Sequence, residues 1–153
     1  MIAILRVRGT VNIRPDIKKT MQSLRLYKPN NLILLKEDKA MMKMVDKSKD
    51  YVTFGKIDEK TLTALLEKRG RLEGNKRVDA EYLKEKKISG FDDLAKKLIE
   101  GKAHLKDLGI EPVFRLHPPR KGFDRKGIKA PFNLGGALGN RADKINELIG
   151  RMI

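Results

Sequence analysis

Three short apolar, β-branched runs punctuate the first third of the chain: IAILRVR (2–8), LILLK (32–36) and YVTFG (51–55). Between them, apolar residues recur every three or four positions. A strand needs alternation and a helix needs the longer period, so this order admits few topologies. In the first run Ala3, Leu5 and Val7 share one face, and Ile2, Ile4, Arg6 and Arg8 share the other. That second face turns from apolar to basic, so its far end is expected to leave the core. Pro15 stands where a helix takes its first residue, with Asp16 favourable to the dipole just after it. Ile17, Met21 and Leu24 then form a stripe at i, i+4 and i+7, while Lys18, Lys19 and Arg25 point elsewhere. Pro29 closes the element and Asn30-Asn31 turn the chain. Asp38 is expected to cap a short helix running to Asp46, with Met41, Met42 and Met44 as core filler. Residues 1–57 thus read β-α-β-α-β, an α+β unit with a three-stranded sheet covered by two helices.

Residues 58–153 read as an extension. Asp58 is placed to cap a helix whose Leu62, Leu65 and Leu66 form a stripe ending at Gly70. The polar stretch 71–79 is expected to be a loop, followed by a short helix at 79–86. GFDDLAKKLIE (90–100) has early acids, later lysines and an apolar face of Leu94, Ala95, Leu98 and Ile99, hence a helix. A short helical turn is expected at 103–108 and a fourth strand at 112–116. Residues 117–140 show no periodicity and hold three prolines and five glycines. A long aperiodic stretch in a compact chain is either functional or disordered. Asn140 is expected to cap a last helix, with Asp143 as capping-box partner and Ile145, Leu148, Ile149 and Met152 as its buried stripe. That helix should dock on the body and pin the far end of the loop.

Charge narrows the function. The formal net charge is +15, with a pI near 10.1. A balance of this kind favours a polyanion, nucleic acid first and an anionic membrane second. Residues 1–57 carry 13 Lys and Arg against 5 Asp and Glu, residues 58–109 carry 13 against 11, and residues 110–153 carry 9 against 4. The excess therefore sits at the two ends, with a near-neutral segment between. Cysteine is absent, and His104 and His117 are the two histidines, so disulfide, thiolate-metal and histidine-cluster chemistry have no material. No apolar run approaches the ~18 residues of a membrane span. MIAILRVRG is too short for a signal peptide, and an intracellular protein is expected.

No constellation for catalysis stands out. There is no P-loop, and the run LGGALGNR (134–141) is not a dinucleotide fingerprint. It does set unhindered amides and Arg141 ahead of a helix, which suits a phosphate as well as an ordinary turn. The acid pairs Glu37-Asp38 and Asp92-Asp93 sit where helix N-termini take carboxylates, and capping accounts for them. The basic segment 115–133 is more pointed. Arg115, Arg120, Lys121, Arg125, Lys126 and Lys129 recur between Gly, Pro, Phe123 and Phe132, against Asp124 alone. Cations neutralise phosphates, glycines admit a crowded groove, and aromatics or His117 can stack on unpaired bases. A second candidate surface joins Lys18, Lys19 and Arg25 to Arg6, Arg8 and Arg14. No metal site is expected.

These residues also carry a resemblance. LRVRGTVNIRPDIKKTMQSLRL, NLILLKED and YVTFGKI are similar to the short bacterial form of a large-subunit ribosomal protein family, known as protein thirty in bacteria and protein seven in eukaryotes. LLEKRG (65–70), FDDL (91–94), FRLHPPRKGF (114–123) and GGALGNR with INELIGRM (135–152) resemble the extension found in its archaeal and eukaryotic members. The sequence has no long basic N-terminal arm of the eukaryotic kind, and Leu138 replaces an alanine of the eukaryotic loop, so it looks archaeal in type. The resemblance implies a ferredoxin-like core sheet with the extension packed on it. It implies a cytoplasmic, ribosome-bound structural protein that binds large-subunit ribosomal RNA at or near the 5S RNA, beside neighbouring ribosomal proteins. It implies no enzyme activity, no cofactor, no small-molecule substrate and no membrane. Carried over by position, the RNA contacts are Arg6, Arg8 and Arg14 in the core and Arg115, Arg120, Lys121, Arg125, Lys126, Asn140 and Arg141 in the extension. A regulatory RNA-binding module outside the ribosome is the alternative reading.

Overall fold

A computed structural model describes residues 1–86 and 88–153. Among them the chain forms strands β1 (Ile2–Arg6), β2 (Asn31–Leu35), β3 (Val52–Lys56), β4 (Val113–Arg115) and β5 (Gly139–Asn140). The α-helices are α1 (Pro15–Ser23), α2 (Lys39–Lys47), α3 (Glu59–Arg69), α4 (Ala80–Glu85), α5 (Phe91–Ile99) and α6 (Ile145–Met152). The strands make one five-stranded sheet in the order β4-β2-β1-β3-β5. β1 is its centre, antiparallel to β2 with Leu5 opposite Leu32 and to β3 with Arg6 opposite Val52. The β-α-β-α-β order of residues 1–57 is as expected, and the core is ferredoxin-like.

The sheet is wider than the three strands expected from residues 1–57, because later residues supply both edges. β4 pairs antiparallel with β2, Asn31 opposite Arg115, and β5 pairs parallel with β3, Thr53 opposite Gly139. β4 falls in the expected stretch. β5 is two residues long and has no period to show, so only tertiary pairing reveals it.

Both faces of the sheet are covered. Ile2 and Ile4 pack with Met21, Leu24, Leu26 and Val45 beneath α1 and α2. Ala3 and Leu5 pack on the other side with Leu62, Leu65, Leu66, Leu94, Leu98, Leu148 and Ile149, from α3, α5 and α6. The expected stripes of α3 and α6 are buried, and that of α1 is buried at Met21 and Leu24 with Ile17 half-buried. Two apolar assignments fail: Met41 and Ile99 are each 39% exposed, on the rims of α2 and α5. Asp38 and Asp58 occupy N-cap positions without side-chain capping bonds. The Asp58 amide is instead held at 2.9 Å by Oδ1 of Asn146, tying the start of α3 to α6.

Other expectations need correcting. Residues 103–108 form turns, with no helix. The 71–79 loop closes as a small hairpin, Arg71 opposite Arg77, around a 3-10 turn at Glu73–Asn75. Asn140 does not cap α6: its Oδ1 accepts the Ala142 amide at 2.8 Å and starts the 3-10 turn Ala142–Lys144, from which α6 continues. That turn lies directly on β3 because Gly55 has no side chain. A Cβ there would stand 2.1 Å from the Ala142 carbonyl oxygen and 3.0 Å from the Ile145 Cβ. Gly55→Ala should therefore lift α6 from the sheet and lower stability by about 1–3 kcal/mol, the usual scale for overpacking. Urea unfolding checks this, and an unchanged midpoint would contradict it.

Candidate nucleic-acid interface

The register brings one set of chain ends together. The C-terminal ends of β1 and β4 and the N-terminal ends of β2, β3 and β5 meet at the same end of the sheet. Segments 7–14, 26–30, 48–51 and 116–138 gather there. The last of these leaves β4 at one sheet edge and re-enters β5 at the other, so it passes the ends of all the strands between.

This long segment is far from the aperiodic coil expected. It holds 3-10 turns at Gly127–Lys129 and Phe132–Leu134 and a bridge between Pro131 and Leu138. Its amides find carbonyls within the segment: Gly127 N–H donates to Asp124 at 2.8 Å, Phe132 to Leu138 at 2.8 Å, and Ala137 to Gly127 at 3.1 Å. Gly136 is required where the segment doubles back, since a Cβ there would lie 2.1 Å from the Ala130 carbonyl oxygen. The start of the segment hangs on α6, with the His117 and Arg120 amides donating to Met152 and Arg151, each at 3.0 Å. Arg151 returns a bond from Nη1 to the Gly122 carbonyl at 3.2 Å. Val7, at the end of β1, packs under it with Phe123, Ala137 and Leu138.

Two of the expected RNA-contacting arginines lie inside the protein. Arg6 is 2% exposed. Its Nη1 donates to the Leu26 and Tyr27 carbonyls at 2.7 and 2.8 Å, and its Nε to the Arg8 carbonyl at 2.9 Å. Burial pushes its pKa down from the ordinary arginine value. The basic end of that β1 face thus stays in the core, contrary to the alternation argument, because three inward carbonyls need a donor. Arg141 is 4% exposed. It donates to Thr53 Oγ1 at 3.0 Å and to the Ala137 carbonyl at 3.2 Å, pairs with Asp124, and lies 4.5 Å over the Phe132 ring. Phe123 is half-buried in the packing described above.

The remaining predicted residues face outward. Arg120, Lys121, Arg125, Lys126 and Lys129 are exposed, as are His117 and Asn140. Among the described residues none of those five cations has a carboxylate within 4.0 Å. Arg120 and Lys121 occupy a turn closed by the Gly122 amide on the Pro119 carbonyl at 2.9 Å, with Lys121 in the left-handed region at φ 64°. Arg115 is exposed and pairs with Glu111 at 3.5 Å. Arg8, half-buried, donates to the Asp50 carbonyl at 3.1 Å and stacks 4.8 Å over Tyr51. Arg14, Lys18 and Lys19 are exposed at the start of α1, where a positive charge opposes the helix dipole. Nearby, the Ile17 amide and then Lys47 hold the Asp16 carboxyl below its usual range. Arg25 stands apart: with Met1, Leu35 and Lys36 it lines a cleft of about 510 Å³ beside the second half of β2.

In the sequence, Asp124 stands out only as a lone acid among cations. That isolation was the available signal, because a single carboxylate kept in such a segment suits a buried guanidinium. Arg141→Ala would leave Asp124 and the Ala137 carbonyl unpaired and should cost about 3–5 kcal/mol. Arg120→Ala, at the surface, should stay within about 0.5 kcal/mol of the parent. Paired urea titrations read both, and equal losses would contradict this division of roles.

Among the described residues no helix is long and apolar enough to cross a membrane, and no group of three metal-ligating side chains occurs. Residues 2–52 match the family model described as ribosomal protein L30p/L7e. Over its full length the chain is 53% identical to the large ribosomal subunit protein uL30 of Nanoarchaeum equitans, covering 99% of that protein. It is 52% identical over 151 residues to the uL30 of Methanococcus vannielii and 50% to that of Methanococcus maripaludis, covering 98% of each. With half its residues shared from end to end with these relatives, the chain belongs to the uL30 family of large-ribosomal-subunit proteins.

Proposed function

We propose that this chain is a structural, non-catalytic component of the large ribosomal subunit, ribosome-bound in the cytoplasm and held on large-subunit ribosomal RNA at or near the 5S RNA. One observation carries the RNA contact. The single carboxylate of the basic segment, Asp124, is turned inward onto Arg141, so the outer surface of that segment presents Arg120, Lys121, Arg125, Lys126 and Lys129 with no acid among them. A purely cationic, backbone-rigidified surface is suited to neutralising phosphates and releasing their counterions. It positions RNA without base-specific readout, as phosphate contacts do. Arg14, Lys18 and Lys19, at the N-terminal end of α1, extend the same field. Arg6 and Arg141 serve it indirectly, by holding the segments that carry the exposed cations. Neighbouring ribosomal proteins complete the partner list, and no small molecule or membrane is required.

The test is the salt dependence of binding to protein-free large-subunit RNA. Replacing Arg120 and Lys121 together by Ala should flatten the slope of log K against log salt by about 1.4–1.8, at ~0.7–0.9 per lost phosphate contact. Folding should be unchanged by circular dichroism. An unaltered slope would overturn the assignment. Lys121→Gly adds a second readout. It relieves a left-handed backbone that disfavours a side chain by about 1 kcal/mol, so the variant should melt no lower than the parent while binding RNA more weakly.

A further inference from the structure

The middle of the chain, near-neutral by composition, contains a local concentration of charge that only the fold reveals. α3 ends at Arg69, and the hairpin that follows pairs Arg71 with Arg77 across an antiparallel bridge. Directly opposed residues of such a bridge project to the same side. The neighbours Leu72 and Val78 point the other way, Val78 into the main core and Leu72 packed against it. That alternation sets Arg71, half-buried, and Arg77, exposed, on the same side of the hairpin. The hairpin is firm: the Leu72 amide donates to Lys76 at 2.9 Å and the Val78 amide to Gly70 at 3.4 Å, around a tight tip with Gly74 and Asn75 both at positive φ.

Among the described residues none of these three arginines has a carboxylate within 4.0 Å. Nε of Arg69 is buried without a hydrogen-bond partner. Burial first, then the charges of Arg71 and Arg77, push the Arg69 pKa below its ordinary value. Three guanidiniums with no carboxylate beside them form an arrangement that an anion completes. Guanidinium forks match phosphate oxygens in geometry as well as charge. We propose that Arg69, Arg71 and Arg77 form a phosphodiester-binding site for an RNA backbone, carried on a separate element from the segment 116–138. The proposal rests on the RNA-binding reading above and adds a second anchor to it.

Four proteins are compared for binding to protein-free large-subunit RNA across a salt series: the parent, Arg71→Ala with Arg77→Ala, Arg120→Ala with Lys121→Ala, and all four changes together. The hairpin pair should flatten the slope by about 1.4–1.8, and the quadruple variant by about twice that. Arg71→Lys with Arg77→Lys should keep the slope, because the charge remains, and bind more weakly, because the fork is lost. In the absence of RNA, pyrophosphate should raise the melting temperature of the parent by more than that of the hairpin pair. If the alanine pair proves unstable, Arg77→Ala alone, at an exposed position, should flatten the slope by about half as much. A normal slope for the hairpin variants beside a flattened one for Arg120→Ala with Lys121→Ala would overturn this site and leave the RNA reading standing. Normal slopes for every variant would overturn both.

Discussion

The buried guanidinium of Arg141 is the contact on which the basic end of this protein depends. One planar group reaches β3 through Thr53, the interior of the long segment through Ala137, its acidic residue through Asp124, and the Phe132 ring. The backbone amide of the same residue bonds the Phe54 carbonyl at 2.8 Å, which fixes β5 against β3. The long segment's own apolar contribution is small, chiefly Phe123, Ala137 and Leu138 on Val7. A segment so rich in glycine and cation buries too little to order itself by hydrophobicity. A paired, hydrogen-bonded charge can hold it instead, and the pair stays favourable because both partners are satisfied.

Arg6 does the same for the other half of this end. Its three donated bonds gather the carbonyls of 8, 26 and 27 at the end of the central strand. Hydrogen bonds from a charged donor are worth about 1.5–3 kcal/mol each, and unmet carbonyls would cost a similar amount. The protein therefore uses arginine in two ways. Buried guanidiniums organise backbone, and exposed ones present charge. Sorting them by burial turns a diffuse net charge into a defined surface.

That sorting marks the boundary of what the sequence discloses. β1, α1, α3 and α6 were readable because their apolar residues keep a period, and a period is a local property. Arg6 was misplaced because alternation ranks it by polarity, while its burial is decided by carbonyls some twenty residues away. β5 could not be read because its two residues pair only where Arg141 and Gly55 allow the chain to approach β3. The candidate interface was legible as composition in 115–129, and most of those cations are indeed exposed. Its shape was not legible, since the turns that display Arg120 and Lys121 and the inward rotation of Asp124 are tertiary facts. Arg25 shows the reverse error: adjacency in sequence to α1 suggests a shared surface, and the fold turns it into a cleft beside the second half of β2.

A rigid cationic end, organised by buried arginines, is what should keep this chain on the large ribosomal subunit. Sedimentation of a cell extract through sucrose at increasing salt tests that most directly. The chain should co-sediment with the large subunit at low salt and leave it only at high salt. Migration as a small free species at every salt would contradict it.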